Sequence, residues 1–346
     1  MRDITHRIDR GSLLRRAPYA LLGAATVVWL AVKASEGGST FLQVTLNGLT
    51  FAALLFVVAA GFTLIFGLMR VVNMAHGSLY LFAGYLAFQA QESWFGVNSN
   101  LLGNSSAITV ASWVVSGAFA VVVVGLVGVA MQQLFLRWNQ GQDLRQALIT
   151  IAISVIAADQ LEAHYGGVSQ SIQAPSAWPN SVSLFGTNYG FFRLVIVGGC
   201  AVAVGAMLFV IIKRTRFGMV VRAGVDDRAM VSAIGINIQL VFAGAFFIGA
   251  MLAGFAGVLG GTMLDVQPGN DSQFLLYALI VVIIGGMGSL GGAAIGALAL
   301  GLVNSYADVY LSFGSTNLTN YSILLTFILV VAVLAVRPLG LFGRPA

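Results

Sequence analysis

Charged side chains are scarce in this chain. Asp, Glu, Lys and Arg make up 8% of its 346 residues, whereas a soluble domain carries roughly 25% charged residues. Hydrophobic residues make up 58%, and the mean hydropathy is +0.92. Because so few charges cannot cover a globular surface, the composition excludes a soluble domain and predicts a polytopic membrane protein.

The sequence also has almost no cysteine, and it has no phosphate-binding loop for a nucleotide. Cys200 is the one cysteine, which excludes an internal disulfide and a cysteine metal cluster. The sequence contains no G-x-x-x-x-G-K-[ST] phosphate loop, so the chain cannot hydrolyse ATP by that mechanism. We therefore predict a protein that is not an enzyme, with no cofactor and no metal of its own.

Glycine, by contrast, is abundant, and proline is confined. The 42 glycines exceed the roughly 7% expected of soluble proteins. Small residues let transmembrane helices approach closely, which suits a tightly packed bundle. All six prolines fall at the ends of apolar runs or in the segments between them.

Apolar runs long enough to cross a bilayer recur along the chain, and a span needs about 20 apolar residues. They predict an all-α fold: a polytopic helical bundle of about ten transmembrane helices. The runs are residues 18–34, 41–67, 74–92, 107–136, 146–165, 192–212, 238–264, 273–286, 292–311 and 321–336.

The first run follows a basic segment, residues 1–17. It could be a signal peptide, but Lys33 beside a possible Val32-x-Ala34 cleavage site favours a retained helix. We thus predict a cytoplasmic N-terminal segment, 1–17, and a single transmembrane domain, 18–346.

Basic residues set the predicted orientation, because Lys and Arg are enriched in cytoplasmic loops. With ten spans and a cytoplasmic N-terminus, all of the 17 Lys and Arg residues except Lys33 and Arg193 fall inside. Both termini are therefore expected in the cytoplasm. The net charge of +5 lies in short loops between apolar runs, which argues against a nucleic-acid partner.

One polar segment, residues 213–236, interrupts the second half of the chain. Asp226 and Asp227 could begin a short helix there, and Gly235 could end it. Met230, Val231 and Ile234 would form one apolar face of that helix. Such a helix could dock in a groove of another protein, or it could only hold helix ends at the membrane surface; the residues alone leave both possibilities open.

In the N-terminal half of the chain, four polar residues interrupt apolar sequence: Asn47, Asn73, His76 and Ser78. The turn 73–77 is expected at or just inside the cytoplasmic face, as a short re-entrant break, and broken helices occur only where protein or water satisfies the backbone. These four residues are predicted to line the translocation path. The simpler alternative is that His76 hydrogen-bonds a neighbouring carbonyl group.

Two further segments have competing interpretations. The glycine-rich stretch 285–292 could be a second break beside the pore, or its glycines could serve close packing through Gly292-x-x-x-Gly296. The stretch 159–164 has Asp159 and Glu162 on one helix face beside His164. A metal or acid–base site is conceivable there, but external surface charge or a polar lining at the pore mouth fits better.

Three stretches resemble the permeases of ATP-binding-cassette importers of the branched-chain amino-acid (Liv) type. They are residues 47–85, with Ser78 where the family usually has glutamate, residues 281–305, and the polar segment. The polar segment resembles the family's coupling loop, with arginines just before a Phe-Gly pair, then an Arg-Ala pair and an aspartate, followed by a helix ending in Gly-Ile. The matching residues of that loop are Arg214, Arg216, Phe217, Gly218, Arg222, Ala223, Asp227, Gly235 and Ile236.

The resemblance implies a permease subunit in the bacterial inner membrane that carries branched-chain amino acids. Its expected partners are a second, related permease, two cytoplasmic ATPases, a periplasmic solute-binding protein and the lipid bilayer. Urea, short amides or aromatic acids are alternative solutes within the family. An ion-coupled secondary transporter is disfavoured, because such proteins place carboxylates near mid-membrane and the centres of these apolar runs are nearly uncharged. The residues implied in ATPase coupling are Arg216, Gly218, Arg222, Asp227, Met230 and Gly235.

Overall fold

The structure is a computed structural model, and it describes residues 32–33, 35, 37–69, 72–96, 108–226, 228–310, 312–313, 316–317 and 322–343. Within these residues the chain is mainly α-helical. The helices are α1 Gly38–Met69, α2 His76–Phe95, α3 Val110–Met131, α4 Asp143–Tyr165, α5 Gly198–Arg214, α6 Arg216–Asp226, α7 Arg228–Ala233, α8 Ile238–Met263, α9 Asn270–Gly285, α10 Leu290–Tyr310 and α11 Ser322–Val336.

Short irregular elements extend or connect these helices. A π-helical turn, Gln132–Leu136, and a 3-10 turn, Arg137–Asn139, continue α3, and a second π-helical turn, Phe192–Val197, leads into α5. Two small antiparallel hairpins accompany the helices. They are β1 Ser181–Leu184 with β2 Thr187–Gly190, and β3 Ser312–Phe313 with β4 Thr316–Asn317.

The predicted helical architecture is confirmed. Each predicted run from 41–67 onward coincides with a helix, whereas the run 18–34 falls outside the described residues apart from Val32 and Lys33. Six helical stretches in the described part of the chain are long and apolar enough to cross a membrane, and α9 and most of α11 form shorter apolar helices. The six are Gly38–Gly67, Val110–Asn139, Asp143–Tyr165, Phe192–Arg214, Ile238–Met263 and Leu290–Tyr310.

Helices α1 and α8 form the centre of the bundle. Helix α1 packs against α8, α9 and α10, while α2 packs against α3, α8 and α9. Within the most apolar 18 residues of Gly38–Gly67, 72% are buried inside the protein. The corresponding share is 17% in α4 and 22% in Phe192–Arg214. Helices α4 and α5 therefore lie at the periphery and present most of their surface to surroundings outside this chain.

Glycine contacts hold the inner helices together at short range. A methyl group added at Gly296 would clash with the backbone carbonyl of Val281, and one at Gly292 would clash with Gly285. These contacts join α9 to α10 and support the close-packing interpretation of the 285–296 glycines. Apolar side chains gain little by packing together in lipid, so such close backbone approach supplies the contact energy.

The two ends of the bundle differ in chemistry. The basic end carries Arg137, Arg145, Lys213, Arg214 and Arg337. The hairpin end carries the β1–β2 hairpin and the segment that precedes it. That segment is fixed to the bundle through Gln91, whose side chain donates to the Gln173 carbonyl (3.2 Å) and accepts from the Gln173 N–H (3.0 Å).

Candidate functional site

The break between α1 and α2 lies deep inside the bundle. Nε2 of His76 is 3.0 Å from the carbonyl oxygen of Val58, eleven residues before the end of α1 at Met69. Eleven helical residues span about 16 Å. The chain therefore turns at the basic end and re-enters the bundle before α2 begins. The re-entrant form of the break is thus observed, with His76 about three helical turns from the end of α1; the position of the turn relative to the membrane face stays a prediction.

Contacts with α4 place the break between α1 and α2 at the same depth in the bundle. The N–H of Met74 donates to Oγ1 of Thr150 (3.1 Å), and Oγ of Ser78 is 2.7 Å from Oγ of Ser154. Ser154 lies eleven residues after the start of α4. Because the contacts advance by four residues on both segments, α2 and α4 run in the same direction.

Local polar contacts stabilise the break. Oδ1 of Asn73 accepts from the N–H of Ala75 (3.1 Å), and the backbone carbonyl of Asn73 accepts from the N–H of His76 (3.2 Å). The His76 ring makes an edge contact with Phe62 (centroids 5.4 Å apart). Nδ1 of His76 and Nδ2 of Asn73 have no partner in the described part of the chain.

The predicted path residues separate into two groups. Asn73, His76 and Ser78 are all buried, and the His76 ring hydrogen-bonds a backbone carbonyl, as the simpler alternative predicted. None of the three lines either of the two cavities described next. Asn47, by contrast, is partly exposed and lines the first of them.

The Asn47 cavity lies between α1 and the β1–β2 hairpin and has a volume of about 300 Å³. The hydroxyl of Tyr189 donates to Oδ1 of Asn47 (2.9 Å) and lies 2.8 Å from Oγ1 of Thr50. Partial burial raises the pKa of the Tyr189 hydroxyl above its ordinary value, so the group remains a protonated donor at neutral pH. Arg193 also lines the cavity, and its guanidinium donates to the Met263 carbonyl (3.2 Å).

A second cavity, of about 380 Å³, lies between α1, α9 and α10. Helix α9 begins beside α2, where Tyr80 stacks on the cavity residue Phe274 with ring centroids 4.2 Å apart. Sequence reasoning missed the cavity's polar lining, and the separate positions of Gln273 and Asn304 in the sequence gave no signal for it. The lining residues are Phe51, Leu264, Gln267, Asn270, Gln273, Phe274, Tyr277, Asn304 and Asp308.

The polar segment forms two short helices at the basic end, α6 and α7. Gly218 lets α6 pack against the end of α5, because a methyl group there would clash with the carbonyl oxygens of Ile211 and Ile212. Arg222 donates to the Ile212 carbonyl, and Arg216 is exposed. Two of the predicted coupling residues thus fix α6 on α5.

Helix α7 differs in part from the expectation. Its bounds are Arg228–Ala233, and Asp226 ends α6 instead of beginning α7; Asp227 lies outside the described residues. The predicted single apolar face is wrong, since Val231 is 4% exposed whereas Met230 is 63% and Ile234 is 68% exposed. Val231 anchors the helix to the protein, and the other two project away from it.

Gly235 ends α7 as predicted. Its φ is +88°, and its N–H donates to the Ser232 carbonyl (3.0 Å) while the N–H of Ile236 donates to the Val231 carbonyl (3.4 Å). This pair of bonds is the Schellman motif, which favours glycine at the left-handed position.

The segment after α7 is tied directly to the bundle. Oδ1 of Asn237 accepts from the N–H groups of Gln239 (3.1 Å) and Leu240 (3.3 Å) and so caps α8. The side-chain amides of Gln239 and Gln140 exchange two hydrogen bonds, of 2.8 and 3.0 Å. These bonds join the segment after α7 to α8 and to the turn between α3 and α4.

Comparison with known proteins identifies the family. The model of the family described as "Branched-chain amino acid transport system / permease component" matches residues 44–334. No solved structure matches the chain significantly.

Individual relatives match over nearly the whole chain. The sequence is 29% identical to the high-affinity branched-chain amino acid transport system permease protein LivH of Salmonella typhimurium, covering 90% of this chain and 98% of the relative. It is 31% identical to the corresponding protein BraD of Pseudomonas aeruginosa, covering 88% and 96%. A probable LivH of Methanocaldococcus jannaschii is 24% identical, covering 86% and 91%. This chain is therefore a membrane protein that belongs to the permease-component family of branched-chain amino acid transport systems.

Proposed function

We propose that the chain is a permease subunit of an ATP-driven importer for branched-chain amino acids in the bacterial inner membrane. Family membership over residues 44–334 supports the transport role, and the names of the relatives support the solute. A second permease, two ATPases on the cytoplasmic side and an external solute-binding protein would complete the transporter.

The basic end of the bundle is the proposed cytoplasmic end. It carries Arg137, Arg145, Lys213, Arg214 and Arg337, and cytoplasmic loops are rich in Lys and Arg. This orientation places α6 and α7 in the cytoplasm and the β1–β2 hairpin outside.

The exposed side of α7 is the observation that carries the coupling role. Met230 and Ile234 are four residues apart, so they lie on one face of the helix, and both are largely exposed. Apolar side chains beyond the end of a transmembrane helix gain by burial in a groove of another protein. An ATPase bound there could move α7, and Gly218, Arg222 and the Gln140–Gln239 pair would pass that movement to α5, α8 and the α3–α4 turn.

The test is site-directed crosslinking in native membranes, after Cys200 has been replaced by serine. Met230→Cys and Ile234→Cys should crosslink to a nucleotide-binding subunit, whereas Val231→Cys, buried one residue away, should not. The coupling role would be contradicted if Val231→Cys crosslinked to the ATPase as efficiently as Met230→Cys and Ile234→Cys did. It would also be contradicted if neither of the latter two variants captured an ATPase.

Uptake into proteoliposomes tests the transport mode and the solute. Leucine uptake by the assembled subunits should require both ATP and the binding protein. Uptake driven by a proton gradient alone would instead identify a secondary transporter. Competition by urea, amides or aromatic acids, but not by valine or isoleucine, would indicate a different solute of the same family.

Asn47, Asn73, His76 and Ser78 remain proposed parts of the path. Asn47 would contact solute at the external cavity. The other three are buried between helices, and their role would be to hold the re-entrant break so that α2 begins in the middle of the membrane.

A further inference from the structure

Helix α4 presents one continuous exposed face whose chemistry changes along its length. Leu148, Ala152 and Val155 are exposed toward the basic end, and Asp159 and Glu162 continue the same face toward the hairpin end. The spacing of three and four residues places all five on one side of the helix. The opposite side of α4 packs against α2.

The two carboxylates lie well below the hairpin end of the bundle. Ser154 is bonded to Ser78, so Asp159, five residues further along a parallel helix, lies level with Ala83. A methyl group at Gly254 would lie 3.3 Å from the Cβ of Ala83, and Gly254 is nine residues, about 14 Å, before the end of α8. Glu162 lies about one turn nearer that end. Since α8 is one of the helices long and apolar enough to cross a membrane, we infer that both positions lie in its outer half.

Lipid does not suit this face of α4. An aspartate side chain is short, so it cannot extend to the membrane surface as lysine and arginine do. Charged groups at this depth normally face a water-filled space or the interior of an assembly.

Helix α5 offers a direct contrast. Val202, Met207, Phe209 and Val210 are exposed on it, and the exposed residues between 198 and 212 are all glycine or apolar. That surface suits lipid.

We propose that the exposed face of α4 lines the aqueous translocation path between this chain and its paired permease. Leu148, Ala152 and Val155 form the inner wall of that path, and Asp159 and Glu162 form its outer mouth. The proposal rests on the importer function, since it requires a second permease opposite α4. It gives the path a wall on a helix that has open surface, in addition to Asn47 and the buried Asn73–Ser78 segment proposed above.

Cysteine accessibility tests the proposal, and the chain supplies a matched control. Val155 and Val202 are both exposed, at 63% and 74%. Gly205, three residues after Val202, packs against Phe56, which is close to the level of His76. Val155 is also close to that level, because its neighbour Ser154 bonds Ser78. The two valines therefore lie at similar depth in the bundle. With Cys200 replaced by serine, Val155→Cys, Asp159→Cys and Val202→Cys are treated in the assembled transporter with a charged, water-soluble methanethiosulfonate.

The thiolate is the reactive form, and hydrocarbon surroundings suppress it. Val155→Cys and Asp159→Cys should therefore react at least about tenfold faster than Val202→Cys, and their modification should block leucine uptake. If Val155→Cys reacts no faster than Val202→Cys, the path does not follow α4. This labelling needs no transport, so a wrong solute or energy source would be detected separately, by the uptake assay.

Discussion

Gly77 shows how single residues determine the packing of the re-entrant break. A methyl group at Gly77 would overlap the carbonyl oxygen of Asp271 and lie 2.9 Å from Cβ of Leu275. The start of α2 can thus approach the start of α9 only without a side chain at this position. Gly257 is similar, since a methyl group there would overlap the carbonyl of Tyr80.

We expect Gly77→Ala to destabilise the protein by about 1–3 kcal/mol, the usual cost of overpacking. The obstructing atoms belong to the backbone of α9, which cannot move aside as a flexible side chain could. Thermal unfolding in detergent measures the effect. Gly199→Ala is the control, because no atom lies within 4 Å of a methyl group there; equal melting temperatures for the two variants would contradict the packing account.

Ser78 illustrates a residue whose role the sequence could not specify. The family resemblance places a glutamate here, and the serine is 3% exposed and bonded to Ser154. The site therefore joins α2 to α4 with a neutral hydrogen bond between two hydroxyl groups. Its partner is 76 residues away in the chain, so no local pattern could have indicated it.

At the scale of elements, the position of α7 depends both on the buried side chain of Val231 and on the backbone turn at Gly235 that ends the helix. A methyl group at Gly235 would meet no atom within 4 Å, yet the φ of this residue is +88°. The requirement for glycine there is therefore conformational and not steric. Left-handed backbone costs other residues roughly 1–2 kcal/mol, although asparagine visits it more readily.

Gly235→Val should therefore distort the end of α7 and lower ATP-dependent uptake several-fold, with membrane insertion unchanged. Gly235→Asn should retain most of the uptake, because asparagine tolerates the left-handed conformation. Uptake and protein level are compared in the same vesicles. If the valine variant transports as well as the asparagine variant, the geometry of α7 is not needed for coupling.

At the scale of the whole molecule, the residues after α11 close the basic end. The N–H groups of Leu341 and Phe342 donate to the carbonyls of Ile284 (2.9 Å) and Gly285 (3.0 Å). Gly340 and Gly286 pack backbone to backbone, and a methyl group at Gly67 would lie 3.2 Å from Cα of Gly288. These contacts bring α1, the α9–α10 turn and the C-terminal segment together.

Truncation after Arg337 should lower stability by about 2 kcal/mol, at roughly 1 kcal/mol for each lost hydrogen bond. It should also increase protease cleavage at the 285–288 turn. Truncation after Gly343 keeps both bonds and serves as the control. Identical melting temperatures and cleavage rates for the two truncated chains would show that the C-terminal segment does not stabilise the turn.

The sequence by itself determined the class of protein, the positions of the apolar helices from residue 38 onward, and the end of α7, but it did not predict α6 as a separate helix. Those features depend on local composition, on the length of apolar runs and on the left-handed preference of glycine, all of which can be recognised within a short window. Tertiary structure alone decided the depth of His76, the burial of Val231 beside exposed Met230, and the open face of α4. Each of these depends on which distant helix packs against which side, and hydrophobic periodicity carries little information about that when every side of a helix is apolar.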